Sequence, residues 1–238
     1  MANSKLETDI IILLDESGSM SVMGTEPIDS ANEFIKKQQK NEHNSRVTII
    51  SFSSYTKKII KNKPIQEIKE ISQDQYNPSG STSLNDSICT TISNRLSSNK
   101  TNDIILLIIT DGYENSSTQY NKNQTKDYIE LVQKKYGWQV LFIGANINAF
   151  EEGEKLNINS SNCAQFDQKC PGNLFTIMRA ASDKITEYNR LKTNGDENPV
   201  LLMPLHSTKS EPIFNSKNSY CYNIAPNFPK PVLIRSKS

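Results

Sequence analysis

Two unbroken apolar runs, Ile10-Ile11-Ile12-Leu13-Leu14 and Ile104-Ile105-Leu106-Leu107-Ile108-Ile109, constrain the fold more than any other feature of the chain. Both are rich in β-branched residues and end in polar loops. Strands of that kind are buried on both faces, as in a parallel sheet covered by helices. Neither run approaches the roughly 20 apolar residues that a membrane-crossing helix needs. Val47–Phe52 and Val140–Ile143 are two further strand candidates.

Helical patterns lie between these strands. Pro27 suits a first helical turn, and Ile28, Ala31, Phe34 and Ile35 form one apolar stripe. Leu84, Ile88, Ile92 and Leu96 form a second, and Tyr128, Ile129, Val132 and Tyr136 a third. Ile147 to Leu156 reads as a helix, and Leu174, Ile177, Met178, Ala181, Ile185 and Tyr188 make the best amphipathic helix of the chain. Strands alternating with helices predict an α/β, doubly wound, mostly parallel sheet with helices on both faces. Thr56 to Ile60 follows Phe52 too closely for a crossover helix, so it is expected as one antiparallel edge strand.

Of the 238 residues only 35% are hydrophobic, so the apolar content is concentrated in the sheet. The length suits one medium domain, expected over residues 1–191. From Lys192 the pattern dissolves, with prolines at 199, 204, 212, 226, 229 and 231. Late in the chain Lys209, Lys217, Lys230, Arg235 and Lys237 face Glu211 alone, so residues 192–238 are expected to form a mildly basic tail. Overall, 27 basic side chains balance 26 acidic ones, which argues against a nucleic-acid binder with a broad basic surface. The N-terminus lacks a secretory pattern, because Ile10–Leu14 runs directly into Asp15, and a cytoplasmic location is expected. Four unevenly spaced cysteines make no disulfide framework.

Chemistry in such a sheet gathers beyond the carboxyl ends of the strands. Three loops there are polar in a coordinated way: Asp15-Glu16-Ser17-Gly18-Ser19 after the first run, Pro78-Ser79-Gly80-Ser81-Thr82-Ser83 before the second helix, and Thr110-Asp111-Gly112 after the long run. Alternate side chains of an extended segment face one way, so Asp15, Ser17 and Ser19 converge on one point that Thr82 and Asp111 reach from adjacent loops. Carboxylates and hydroxyls without His or Cys select a hard divalent cation, Mg²⁺ first and Mn²⁺ or Ca²⁺ behind it. If the hydroxyls touch the cation and the carboxylates act mainly through water, a coordination position stays free for an incoming carboxylate. Such a site binds a partner; it is not a closed structural site.

On these motifs the chain resembles the von Willebrand factor type A (VWA) domain with its metal-ion-dependent adhesion site, over nearly all of residues 6–191. The family's strand followed by Asp-x-Ser-x-Ser is met by Ile10 to Ser19, its distal threonine by Thr82, and its final aspartate by Asp111. The resemblance implies a Rossmann-like sheet with one antiparallel edge strand. It also implies direct coordination of Mg²⁺ by Ser17, Ser19 and Thr82, with Asp15 and Asp111 acting directly or through water. Trp138 to Phe150 resembles the short, stand-alone bacterial and phage members more than the integrin type. The expected activity is non-enzymatic: Mg²⁺-dependent protein–protein interaction in which a partner Asp or Glu completes the coordination. The partner is a protein presenting an acidic residue, with an AAA-type ATPase and a phage structural protein as candidates. No nucleic acid and no membrane are expected.

The competing readings are weaker. A haloacid-dehalogenase-like phosphatase would use Asp15 as nucleophile but needs a second acid where Ser17 stands. No Gly-x-Ser-x-Gly elbow exists, and His43 and His206 lie in a turn and in the tail. Both phosphate-cradling glycine motifs are missing. Cys163, Cys170, His206 and Cys221 fit no compact zinc knuckle, and Cys89 is expected to be buried on its helix. Glu114, near Asp111, reads as a solvated loop carboxylate or a modulator of the metal. A structural or assembly protein, whose metal only stabilises the loops and whose tail binds the partner, is the alternative of a different class.

Overall fold

The two apolar runs become neighbouring strands at the centre of a six-stranded sheet. The computed structural model describes residues 7–41, 43–98 and 102–196, together with Pro199, Leu201 and Met203. In chain order these form β1 (Glu7–Asp15), a 3-10 turn (Gly18–Met23), α1 (Glu26–Gln39), β2 (Asn44–Phe52), β3 (Thr56–Pro64), α2 (Leu84–Leu96), β4 (Asp103–Thr110), α3 (Lys122–Tyr136), β5 (Gln139–Ala145), α4 (Ala149–Lys155), β6 (Cys163–Phe166) and α5 (Asn173–Thr193). The strand order is β3-β2-β1-β4-β5-β6, and every pair is parallel except β2 with β3.

Strand β1 pairs with β2 from Glu7↔Asn44 to Asp15↔Phe52 and with β4 from Thr8↔Asp103 to Leu14↔Ile109. Its side chains alternate between two cores. Ile10, Ile12 and Leu14 pack with Ile28, Phe34, Met178 and Ile185 of α1 and α5, whereas Ile11 and Leu13 pack with Ile88, Ile92, Ile129 and Val132 of α2 and α3. Each fully buried aliphatic side chain contributes about 1.5–3 kcal/mol, so these two strands anchor both layers. Local signals set the helix ends. Pro27 occupies the first turn of α1, while Asn121 and Gln124 form a capping box on α3, which Gly137 closes in a left-handed conformation.

The antiparallel strand lies where the short β2–β3 connection requires it. Its free edge carries Lys57, Lys58, Lys61 and Lys63, a charge pattern that discourages edge-to-edge aggregation. Strand β6 escapes the sequence pattern, because four residues, Cys163-Ala164-Gln165-Phe166, are too few to show a period. It adds a parallel edge to β5 from Phe142↔Cys163 to Ala145↔Phe166.

From β1 the chain winds outward to β3, then crosses to β4 and winds the other way, so the order reverses between β1 and β4. The crevice beyond the carboxyl ends of those two strands is where such a sheet places ligands. At the other end of the chain, α5 continues through the expected boundary at residues 191 and 192. Leu201 and Met203 are buried in the first core, and the Met203 N–H donates to the Ser161 carbonyl at 2.8 Å. Residues 204–238, including the charges of the expected tail, His206 and Cys221, lie outside the described residues. Cys89 and Cys163 are buried free thiols, and Cys170 is half-buried. No helix among the described residues is long and apolar enough to cross a membrane.

Candidate metal centre

All five residues singled out by their pattern meet at the β1–β4 crevice. Asp15, the last residue of β1, is fully buried, and its Oδ1 accepts the Ser17 N–H at 2.7 Å while its Oδ2 accepts the Thr110 hydroxyl at 2.6 Å. The Ser17 and Ser19 hydroxyls lie 3.1 Å apart, and Ser19 Oγ donates to Asp111 Oδ1 at 2.8 Å. Thr82 comes from the loop before α2. A methyl group at Gly112 would lie 3.4 Å from Thr82 Oγ1 and 3.9 Å from Ser19 Oγ, so both hydroxyls border the backbone after Asp111. Asp15, Ser17, Thr82 and Asp111 are buried, and Ser19 is exposed, so the cluster opens to solvent on the serine side.

The loops that carry these groups are tied to one another by main-chain contacts. The Gly18 N–H donates to the Gly80 carbonyl at 3.0 Å and the Ser79 N–H to the Glu16 carbonyl at 2.8 Å. Gly80 has φ of 77°, and a Cβ there would lie 2.9 Å from Ser54 Oγ, so this turn demands glycine. Asn115 holds Thr82 from both sides: its Oδ1 accepts the Thr82 N–H at 2.8 Å and its own N–H donates to the Thr82 carbonyl at 3.1 Å. Tyr76 donates its phenol proton to the Asp15 carbonyl at 2.5 Å. Burial, followed by the negative charges of Asp15, Glu16 and Asp111, keeps that phenol protonated by raising its pKa.

Several of these positions carried no interpretable signal in the sequence. Glu16, adjacent to Asp15, is buried and accepts the Asn77 N–H at 2.6 Å and the Lys57 ammonium at 3.0 Å. Gln168, in the connection between β6 and α5, donates to Asp111 Oδ2 and in turn accepts from Asn146. Glu114 is half-buried, and its carboxylate is turned to amides of its own loop and of α2. Its Oε2 accepts the Asn85 N–H at the start of α2, and its Oε1 accepts the N–H groups of Ser116 and Ser117, so it latches a loop to a helix N-terminus.

A family model for the von Willebrand factor type A domain matches residues 9–178. The chain belongs to this family. Its fold is shared with manganese-loaded TRAP protein of Plasmodium vivax (18% identity, TM-score 0.50, 69% of this chain and 70% of that one). A von Willebrand factor type A protein of Catenulispora acidiphila is similar at 13% identity and TM-score 0.56, over 78% of this chain and 43% of that one. The pilus adhesin SpaC of Lactobacillus rhamnosus GG matches at 12% identity and TM-score 0.64, over 78% of this chain and 30% of its own length. At these identities the likeness is one of fold. No curated protein matches the sequence. VWA domains are in general adhesion and interaction modules that commonly bind a divalent metal, and are not enzymes as a class.

The donor set of this VWA domain fits a hard cation. Among the described residues no group of three His, Cys, Asp or Glu is placed to hold a metal, so any cation here depends on the serine and threonine oxygens. Among the same residues Asp15 and Asp111 enter no ion pair, and the nearby Lys57 is engaged by Glu16. Burial pushes the Asp15 carboxyl up to about 6 against the opposing pull of the Thr110 and Ser17 hydrogen bonds, and the charge of Asp111 adds to the rise. Two carboxyls therefore share a buried site with neutral donors only, a deficit of positive charge that a divalent cation offsets. The phosphatase alternative finds no support, since the position it needs for a second acid is the buried Ser17.

Proposed function

We propose that the protein is a Mg²⁺-dependent interaction module in which a partner's Asp or Glu carboxylate completes the coordination of the cation. The observation that carries this reading is the pairing of Asp15 and Asp111 with three hydroxyls and, among the described residues, no cationic side chain, at a crevice open beside Ser19. Bound there, the cation supplies a Lewis-acidic face for one carboxylate oxygen of the partner. Ser17, Ser19 and Thr82 offer neutral oxygens. Ser19 gives its proton to Asp111, so its oxygen is an acceptor toward the rest of the cluster.

Both oxygens of Asp15 and both of Asp111 are already held by hydrogen bonds, so the two charges are positioned before any ligand arrives. Neutral hydroxyls also leave the cation's charge less satisfied than a carboxylate cage does, which favours an anionic partner ligand. A manganese-loaded neighbour and a pilus adhesin of the same fold support a divalent cation and an interaction role. Cytoplasmic location and an AAA-type ATPase or phage structural protein as partner belong to the same proposal.

Calorimetric titration of Mg²⁺ and Mn²⁺ tests it. Saturable heats in the wild type and their loss in Asp15→Ala, with partner retention on an affinity column that EDTA reverses, are the expected results. Equal, unsaturable heats in both proteins sink the metal site, and partner capture that survives EDTA sinks the carboxylate mechanism.

A further inference from the structure

Helix α2 buries Leu84, Ile88 and Ile92 against the sheet, but the flank of its later turns carries the short polar side chains Thr91, Asn94 and Ser98. Between that flank and the β1–β2–β3 side of the sheet lies a cavity of about 200 Å³. Ile11 and Ile50 line it from β1 and β2, and Lys58 and Lys61 line it from the edge strand. The strand register accounts for the lysines: Lys58 stands opposite Ile50, whose side chain belongs to the α2 core. The ladder then shifts between Val47 and Ile50, and Asn62 adopts a φ of 44° where the shift is absorbed. Asp9 lines the same cavity, six positions before Asp15 on β1. At the rise of a strand that separation is about 20 Å, so the cavity is remote from the metal cluster.

The charges of this cavity do not balance. Asp9 is its one acidic lining residue, and Arg95 neutralises it at 2.9 Å. Lys58 and Lys61 are exposed, and neither enters an ion pair among the described residues, whereas their neighbour Lys57 is engaged by Glu16. Two hydroxyls add donors to the two ammonium groups. Thr91 is only 6% exposed, yet its hydroxyl meets no hydrogen-bond partner among the described residues. Thr48 Oγ1, also in the lining, accepts the Asn62 N–H at 3.1 Å, which leaves its own proton to donate. A buried hydroxyl without a partner is costly, and a ligand that accepts from it removes the cost.

We infer that this cavity binds a small organic phosphate, a monoester whose phosphate group sits at Lys58 and Lys61 and whose apolar body rests on Ile11 and Ile50. The two ammonium groups match the charge of about −1.5 to −2 that a phosphate monoester carries near neutral pH. A carboxylate brings a single charge and leaves one lysine unanswered. The Thr48 and Thr91 hydroxyls donate to the remaining phosphate oxygens, and hydrogen bonds to a charged acceptor are the stronger kind. Inorganic phosphate satisfies the same donors but leaves the isoleucines uncovered. The volume is below the roughly 300–1,000 Å³ of sites that take drug-sized ligands, which restricts the body to a single ring or a short chain. None of Asp15, Ser17, Ser19, Thr82 and Asp111 lines the cavity, so the inference stands apart from the proposed metal site.

Calorimetric titration of the full chain in EDTA with phenyl phosphate, inorganic phosphate and benzoate tests the site, the chelator removing any route through a bound cation. Phenyl phosphate is expected to saturate, and the other two to bind more weakly, on the order of tenfold or beyond. The double variant Lys58→Ala/Lys61→Ala should lose saturable binding at an unchanged melting temperature, because both side chains are exposed. Thr91→Val keeps the shape, removes the hydroxyl and should weaken phenyl phosphate about tenfold. Asp15→Ala should bind it as the wild type does. Unsaturable heats in the wild type, benzoate binding as tightly as phenyl phosphate, or unchanged affinity in the double variant or in Thr91→Val each overturn the inference. Loss of binding in Asp15→Ala, with the double variant unaffected, overturns it by moving the anion to the metal cluster.

Discussion

Two buried aspartates on the same strand meet opposite fates. Asp9, near the start of β1, accepts from Arg95 Nε at 3.1 Å and from Asn102 at 3.0 Å, and the Arg95 Nη2 lies 2.9 Å away. Asp15, at the end of β1, is held among the described residues by neutral donors, the Ser17 amide and hydroxyl and the Thr110 hydroxyl. A buried charge with an internal counter-ion holds the structure together, and breaking such a pair is costly. A buried charge with neutral donors alone is unfinished and gains from an external cation. The amino end of the sheet is thus closed electrostatically, whereas at the carboxyl end the buried carboxyl has neutral partners among the described residues.

The sharpest way to break this contrast is to neutralise the unfinished charge. Asp15→Asn is expected to abolish saturable Mg²⁺ binding and, in EDTA at neutral pH, to raise stability above the wild type. The sign follows from linkage: the folded carboxyl titrates at about 6 against an ordinary value of 3.8, so the protonated form is favoured by folding. Its contribution is full at low pH and is lost as pH rises through about 6, a fall on the order of 3 kcal/mol. Urea denaturation in EDTA from pH 4 to 7 should show that slope in the wild type and lack it in Asp15→Asn. Parallel slopes refute the assignment.

Removing the counter-ion at the other end should do the reverse. Arg95→Ala leaves Asp9 buried without its cation and is expected to cost about 3 kcal/mol in urea, with Mg²⁺ affinity preserved. A variant that loses metal binding while keeping its stability would show that the two ends are not independent.

Gln168→Ala gives a smaller effect, because it removes an orienting hydrogen bond and no ligand. Weaker Mg²⁺ affinity, on the order of tenfold, with a nearly unchanged melting temperature is the expected calorimetric result. An unaltered titration would mean that Ser19 alone positions Asp111. The smallest change is Lys57→Ala, which breaks a half-exposed pair with Glu16. About 1 kcal/mol or less of stability should be lost, with the metal site intact. A complete loss of metal binding would place Lys57 in the architecture of the site.

Much of this architecture was legible because it depends on short-range pattern. Ile10–Leu14 and Ile104–Ile109 announced the central strands, and the stripes at Ile28–Ile35 and Leu84–Leu96 announced two covering helices. The antiparallel β3 followed from the length of one connection. Strand β6 was not legible, since its pairing with β5 makes it a strand and its four residues have no period of their own. At the site, Asp15, Ser17, Ser19, Thr82 and Asp111 were readable from their places after strands and before a helix. Thr110 stood beside Asp111 with no sign that it would bind Asp15, 95 residues away. Glu114 looked solvated because its partners, the amides at the start of α2 and in its own loop, become visible only in the folded chain.

The sequence by itself determined a parallel sheet around two apolar strands and an oxygen-rich cluster at their carboxyl ends, because side-chain alternation and helical periodicity are local properties of the chain. Only the tertiary structure decided which buried carboxylate is neutralised and which is left waiting. That outcome depends on whether a cation lands beside it, and Arg95 reaches Asp9 across 86 residues while no such side chain reaches Asp15 among the described residues. Gln168 at Asp111 is of the same kind: a contact across 57 residues, created when the β6–α5 connection passes the mouth of the site.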